Sequence, residues 1–196
     1  MARHREFEPT EVIDKSIDVF LSKGYEGAAI RDLIEVTNVK SGSLYNSFGS
    51  KKQMFKNALE RFVEVSQFNI TLADAETAPP RETIEKLFFD LIEVTDKRGA
   101  VGKCLISRAT MEVGGVDKEI TAWLQEVFEK SERLLCRLIE RGQAAGEISS
   151  FRSPKELAQF LAITVQGMQV MARFERDNKK FRAIAETALA ALDHEK

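Results

Sequence analysis

Histidine is almost absent from this chain: two of 196 residues, His4 and His194, one near each end. A His-based triad, a His metal cluster or a His general base would have to be assembled from frayed tails. The expectation is therefore no enzyme, no bound metal and no cofactor. Cysteine is as scarce. Cys104 and Cys136 cannot make a disulfide framework, and in a reducing compartment both begin as thiols. No apolar run approaches the roughly 20 residues that cross a bilayer. The opening segment MARHREFEPTEV lacks an apolar h-region, so a cytoplasmic protein is expected. Neither G-x-x-x-x-G-K-[ST] nor G-x-G-x-x-G occurs. An excess of basic charge is missing too. The formal net charge is −2, so a nucleic-acid partner would have to be met by a local patch.

What the chain does have is helical periodicity from end to end. Hydrophobic residues make up 43% and charged residues 31%, an ordinary globular balance. In residues 9–23, Ile13, Ile17, Phe20 and Leu21 fall on one face. Pro9 suits a first helical position and Gly24 a terminus with positive φ. Ile30, Leu33 and Ile34 mark a short second helix. Ser50 can cap a fourth, carrying Met54, Phe55, Ala58, Leu59 and Phe62 to about residue 74. The segment TLADAETAPPRET, residues 71–83, is the natural boundary. Beyond it helices are predicted near 81–97, 103–114 and 117–144. Ser153-Pro154-Lys155-Glu156 reads as a capping box opening another helix, and a last one starts near 178. No strand-like alternation is present. The fold is expected to be all-α.

Residues 36–55, VTNVKSGSLYNSFGSKKQMF, carry the most chemistry. They fit the end of one helix, a turn centred on Asn38, and a second helix SGSLYNSF. Asparagine tolerates the left-handed geometry such a turn needs. Val39, Leu44 and Phe48 point inward. Lys40, Ser41, Ser43, Tyr45, Asn46 and Ser47 then point outward. Small residues let a helix enter a major groove, and Gly42 removes a side chain where backbone must come close. Helix N-terminal N–H groups suit an anion. Between Glu35 and Glu60 there is no acidic residue, but Lys40, Lys51, Lys52 and Lys56 are there. Helix pairs with an apolar inside are also common in all-helical proteins that bind no nucleic acid, so this pattern alone leaves both readings open.

The run from Pro9 to Phe62 resembles the DNA-binding domain of tetracycline-repressor-type (TetR family) transcriptional regulators. The matching elements are Phe20-x-x-x-Gly24-Tyr25, Ile30-Arg31-Asp32-Leu33, Val39-x-x-Gly42-Ser43-Leu44-Tyr45-x-x-Phe48 and Ser50-Lys51-Lys52-x-x-Phe55. The resemblance implies a three-helix helix-turn-helix DNA-binding domain over residues 1–55, with the fourth helix connecting. A larger helical domain, 75–196, would bind a small-molecule effector and form a homodimer through its last two helices. It places Lys40, Ser41, Gly42, Ser43, Tyr45 and Asn46 at double-stranded operator DNA and Lys51 on phosphate. There are departures. Thr37-Asn38-Val39 replaces the usual Ala-Gly-Val turn, Lys40 a usual serine, and Ala29 a usual Thr or Ser. No operator sequence is carried over.

In the second domain, Phe88, Phe89, Cys104, Met111, Trp123 and Phe128 are candidate effector contacts, of residue types that equally build a core. Gly99, Gly102, Gly114 and Gly115 bracket a short helix suited to a shift on binding. Cys104 starts that helix, where the helix N-terminus with Lys103 and Arg108 would lower a thiol pKa. This supports an alternative, a thiol-based stress-sensing repressor. Ala158, Ala162, Val165, Met168, Met171 and Ala188 are candidates for the dimer interface. The sequence leaves effector, operator, regulated genes and the sign of regulation unspecified.

Overall fold

The computed structural model describes residues 7–97, 104–175 and 177–194. Gly99, Gly102 and Lys103, like His4, lie outside the described residues. Among those described there are ten helices and no strand. The chain divides into two compact units. The first comprises residues 1–65 and 104–122, the second 66–103 and 123–196.

The first unit is built from α1 (Pro9–Gly27), α2 (Ile30–Thr37), α3 (Ser41–Phe48), α4 (Lys51–Val65), α7 (Leu105–Glu112) and the first turn of α8 (Lys118–Ala144). Its centre is aromatic. Phe20 and Phe55 meet edge to face with centroids 4.9 Å apart, and Tyr25 lies 5.0 Å from Phe55. Phe20, Leu33, Leu44, Met54, Phe55 and Leu59 are all buried. Each side chain so buried contributes roughly 1.5–3 kcal/mol relative to exposure. The turn between α2 and α3 is as the sequence implies: Asn38 adopts φ 57°, ψ 26°, and its N–H donates to Ile34 O at 2.8 Å. Val39, Leu44 and Phe48 are buried beneath it.

Two differences from the sequence reading concern where helices stop and which unit they join. The fourth helix ends at Val65 instead of running to residue 74. Ser66 takes extended backbone and its hydroxyl accepts the Asn69 N–H, starting a separate α5 (Gln67–Ala73). A serine that satisfies the next turn's N–H from outside the helix competes with helix continuation. Residues 104–122, expected in the second domain, belong to the first unit, where α7 packs on α1 and α4.

The second unit contains α5, α6 (Pro80–Lys97), most of α8, α9 (Pro154–Met171) and α10 (Asn178–Ala190). Its apolar core runs through Ile84, Phe88, Leu138, Leu161 and Leu189. Arg141 ties it by donating to Ala75 O at 2.6 Å and Ala78 O at 2.9 Å. The predicted capping box is present. Ser153 Oγ accepts the Glu156 N–H at 3.2 Å, and Glu156 accepts the Ser153 N–H at 3.0 Å.

The turn gives a direct check on the first unit. Asn38→Gly should leave the urea midpoint nearly unchanged. Asn38→Val should lower stability by roughly 1–2 kcal/mol, because a β-branched residue is forced into left-handed backbone. Equal midpoints for the two variants at equal m-value would refute that account.

Candidate DNA interface

α3 has one face used up and one face bare. Leu44 and Phe48 point into the unit, and Phe7 stacks on Phe48 with centroids 6.4 Å apart. On the other side Gly42, Tyr45 and Asn46 are exposed and Ser41, Ser43 and Ser47 are half-buried. Tyr45 leaves 45% of its surface in water. A Cβ built on Gly42 would meet nothing within 4 Å, and its backbone is not left-handed. Among the described residues nothing requires a glycine there. Gly42, Tyr45 and Asn46 therefore share one solvent-facing row, and the three serines flank it partly covered.

The lysines behave differently. The Lys51 ammonium donates to Tyr25 O at 2.7 Å and Ala28 O at 3.0 Å, and lies 4.5 Å from the centroid of the Tyr25 ring. It therefore ties the start of α4 to the end of α1 with two of its three N–H donors. Lys52 pairs with Asp117 at 2.6 Å and Glu119 at 3.0 Å, and Lys56 pairs with Glu119 as well. The Lys52 hydrogen bond holds the Asp117 carboxyl below its ordinary value. Lys56, then Lys52, does the same for Glu119. The Asp117 bond in turn pushes Lys52 up. The acid-free stretch is acid-free only along the chain. In the fold two carboxylates from more than sixty residues away sit on its lysines. Lys40 stays exposed before α3, with no carboxylate partner among the described residues.

The frame around the turn is polar and local. Ala29 offers no side-chain oxygen to cap α2. Instead the Asp32 carboxylate reaches back to accept the Ala29 N–H at 2.8 Å, half of a capping box. Asp32 also meets Lys23 at 2.8 Å. The Lys23 hydrogen bond, then that from Ala29, holds the Asp32 carboxyl below its ordinary value.

Cys104 does not have the environment expected of it. It is the N-cap of α7, with its sulfur accepting the Ser107 N–H at 3.5 Å. Burial outweighs that bond and pushes the thiol up, the reverse of the expected lowering. Arg108 does not face the sulfur either. It bonds Glu112, Leu21 O and Ser22 O. Among the described residues, burial is the larger influence on the thiol, and it favours the neutral form.

The other candidates scatter. Phe88 is fully buried in the second unit's core, and Phe89 is half-buried with the Arg182 guanidinium 5.3 Å from its ring centroid. Met111 belongs to the first unit and is exposed. Trp123 and Phe128 are half-buried on α8. None of the six lines the groove of about 280 Å³ bordered by Gln67, Ile70, Thr71, Asp74, Glu82 and Lys86. Of the interface candidates, Ala158, Val165, Met168 and Ala188 are buried in their own chain's core, and Ala162 packs against it. Only Met171 is exposed. The exposed apolar row of α9 is instead Phe160, Ile163 and Met171, continued by Phe174, with Ile184 on α10. Sequence periodicity finds α9's apolar residues but does not say which side of the helix its own chain covers.

Two family models match. The model for bacterial regulatory proteins, tetR family, covers residues 12–58, and that for the tetracyclin repressor-like C-terminal domain covers 80–188. The chain is 30% identical over 183 residues to the HTH-type transcriptional repressor DhaR of Mycobacterium sp. (strain GP1), covering 92% of this chain and 90% of that protein. It is 28% identical over 192 residues to the HTH-type transcriptional repressor ComR of Escherichia coli (strain K12), covering 95% and 90%. Among solved structures, a cysteine mutant of the TetR family regulator CifR, complexed with 26 bp double-strand operator DNA, superposes with a TM-score of 0.85. It is 27% identical, over 97% of this chain and 100% of that one. With both parts of its length matched and a relative of this identity along nearly all of it, the chain belongs to the tetR family of bacterial regulatory proteins, as a helix-turn-helix transcriptional regulator.

Proposed function

We propose that this regulator is a homodimeric repressor that holds a near-palindromic operator through α3 and leaves it when a small-molecule effector binds the second unit. The observation that carries the DNA contact is the bare row of α3. Gly42 has no internal neighbour to accommodate, and Tyr45 and Asn46 are held out in water by the burial of Leu44 and Phe48 on the opposite side. Lys40 and the third N–H of Lys51 are the phosphate contacts that flank it. A dimer presents two such rows about 34–36 Å apart, one turn of the duplex. The effector site belongs to the second unit, where Phe89, Trp123 and Phe128 keep part of their surface uncovered.

The dimer reading is supported by the α9 row. Phe160, Ile163, Met171 and Phe174, with Ile184 of α10, put large apolar side chains in water. Gly167, on the same side of α9, is exposed with no neighbour within 4 Å of a built Cβ. Such a face permits close approach of a second copy across a two-fold axis.

DNA binding is tested by salt-dependent affinity. Lys51→Ala should weaken binding to every duplex and lower the slope of log K against log salt by about one. Tyr45→Ala or Asn46→Ala should weaken operator binding far more than random-duplex binding. Equal losses on the two duplexes would deny these residues a reading role.

Assembly is tested by sedimentation. Ile163→Asp should convert a dimer to a folded monomer and lower operator affinity by more than about tenfold, since one recognition helix then acts alone. A variant that sediments like the parent rules this face out of the interface.

A further inference from the structure

The sharpest backbone irregularity of the first unit lies inside α1. Gly24 takes φ 76° and ψ −179°, a combination that is essentially glycine-only. The residue is buried. A Cβ built on it would sit 2.2 Å from Glu112 Oε1 and 2.3 Å from Oε2. The carboxylate of an α7 residue therefore occupies the space any other side chain would need.

The two sides of this break are matched by opposite charges. Glu112 Oε2 accepts the N–H of Tyr25, the first after the break, at 2.7 Å. Glu112 Oε1 accepts Arg108 Nε at 2.6 Å. Arg108 Nη1 in turn donates to Leu21 O at 2.9 Å and to Ser22 O at 3.4 Å. A helix interrupted at Gly24 leaves carbonyls without partners before the break and N–H groups without partners after it. The guanidinium takes the first kind and the carboxylate the second. The pair is only 17% and 24% exposed, so water screens it less than a surface pair.

We propose that Arg108 and Glu112 are positioning residues for the recognition helix, acting through the α1 break. The reading rests on the DNA-binding role proposed above. The route is contiguous. Tyr25 is held by Glu112 on one side, and its carbonyl, with that of Ala28, takes the Lys51 ammonium from the start of α4. The Tyr25 ring lies on Phe55 of α4. Ala29 gives its N–H to Asp32 of α2, and Lys23, just before the break, pairs with the same carboxylate. The segment 23–29 thus holds the start of α2 and the start of α4, the helices before and after α3. A change in register at the break moves both anchors together. α7 thereby sets the presentation of α3 without touching DNA.

The test uses the full chain and two readouts. In the free protein, Glu112→Ala should speed amide hydrogen exchange at residues 25–29 and across α3 by about fivefold or more, with α9 and α10 unchanged. On a duplex selected by the parent from a random pool, its affinity should fall about tenfold with the salt slope unaltered, because no phosphate contact is removed. Glu112→Gln keeps an acceptor oxygen for the Tyr25 N–H and should recover most of the parental exchange rate in α3. If Glu112→Ala does not fold, Arg108→Ala is read the same way. Faster exchange confined to 24–28 with parental affinity overturns the proposal, and so does a changed salt slope. If the parent selects no duplex at all, the DNA-binding reading fails, and exchange in α3 alone decides whether the pair positions that helix.

Discussion

An eight-residue helix does not hold its shape in water, and both α2 and α3 are eight residues long. They exist because one side of each is buried against longer neighbours. Leu33 gives α2 its anchor, Leu44 and Phe48 give α3 theirs, and Phe20 and Phe55 supply the aromatic floor. That single requirement organises the rest. With Leu44 and Phe48 committed inward, Gly42, Tyr45 and Asn46 are left in solvent and the serines between them are only partly covered. The residues there are small, hydroxylic or amide-bearing, with one tyrosine. Stability of the frame and availability of the contact face are thus two outcomes of one packing decision.

The charges follow a different logic. A protein with net charge −2 has no long-range field to draw it to DNA. Four lysines close together in an acid-free stretch look like a substitute. The fold uses three of them internally, two for carboxylates of the α7–α8 connection and the start of α8, and one for the carbonyls that end α1. On the proposed reading, contact with phosphate then falls to the two ends of α3, to Lys40 and the remaining donor of Lys51. If the electrostatic contact is that narrow, geometry matters more, and the proposed role of the α1 break in binding follows from that.

Much of this is legible in the sequence because it is local. The Asn38 turn, the Ser153 capping box and the inward set Val39, Leu44 and Phe48 each depend on residues within a few positions of one another. What cannot be read there depends on distant pairs. Nothing near Lys52 hints that Asp117 and Glu119 will meet it, and nothing near Gly24 names Glu112 as the group that fills its missing side chain. The Ser66 break is hidden for another reason. The apolar pattern continues through Phe68 and Leu72, and only the serine's preference for capping over continuing marks the stop. Cys104 departs from expectation because burial pushes the thiol up by more than the hydrogen bonds at the helix N-terminus bring it down.

α9 shows the same limit in its most instructive form. Its apolar residues occupy more than one side: Leu157, Leu161, Val165 and Met168 on one, Phe160, Ile163 and Met171 on another. A helix apolar on several sides is built to be covered on several sides. Periodicity detects the width of the stripe but not which part the chain itself covers. Small residues suggest a helix pair between copies, yet Ala158 and Ala188 are small because they are buried in their own core. Once that core has taken its share, the large side chains left over are Phe160, Ile163, Met171, Phe174 and Ile184. Monomers seldom leave so many such groups together in water without a partner for them. The case for a second copy therefore rests on what the intrachain core leaves uncovered, and Gly167, in the midst of that remainder with open space where a side chain would be, fits the close helix approach that the proposed dimer needs.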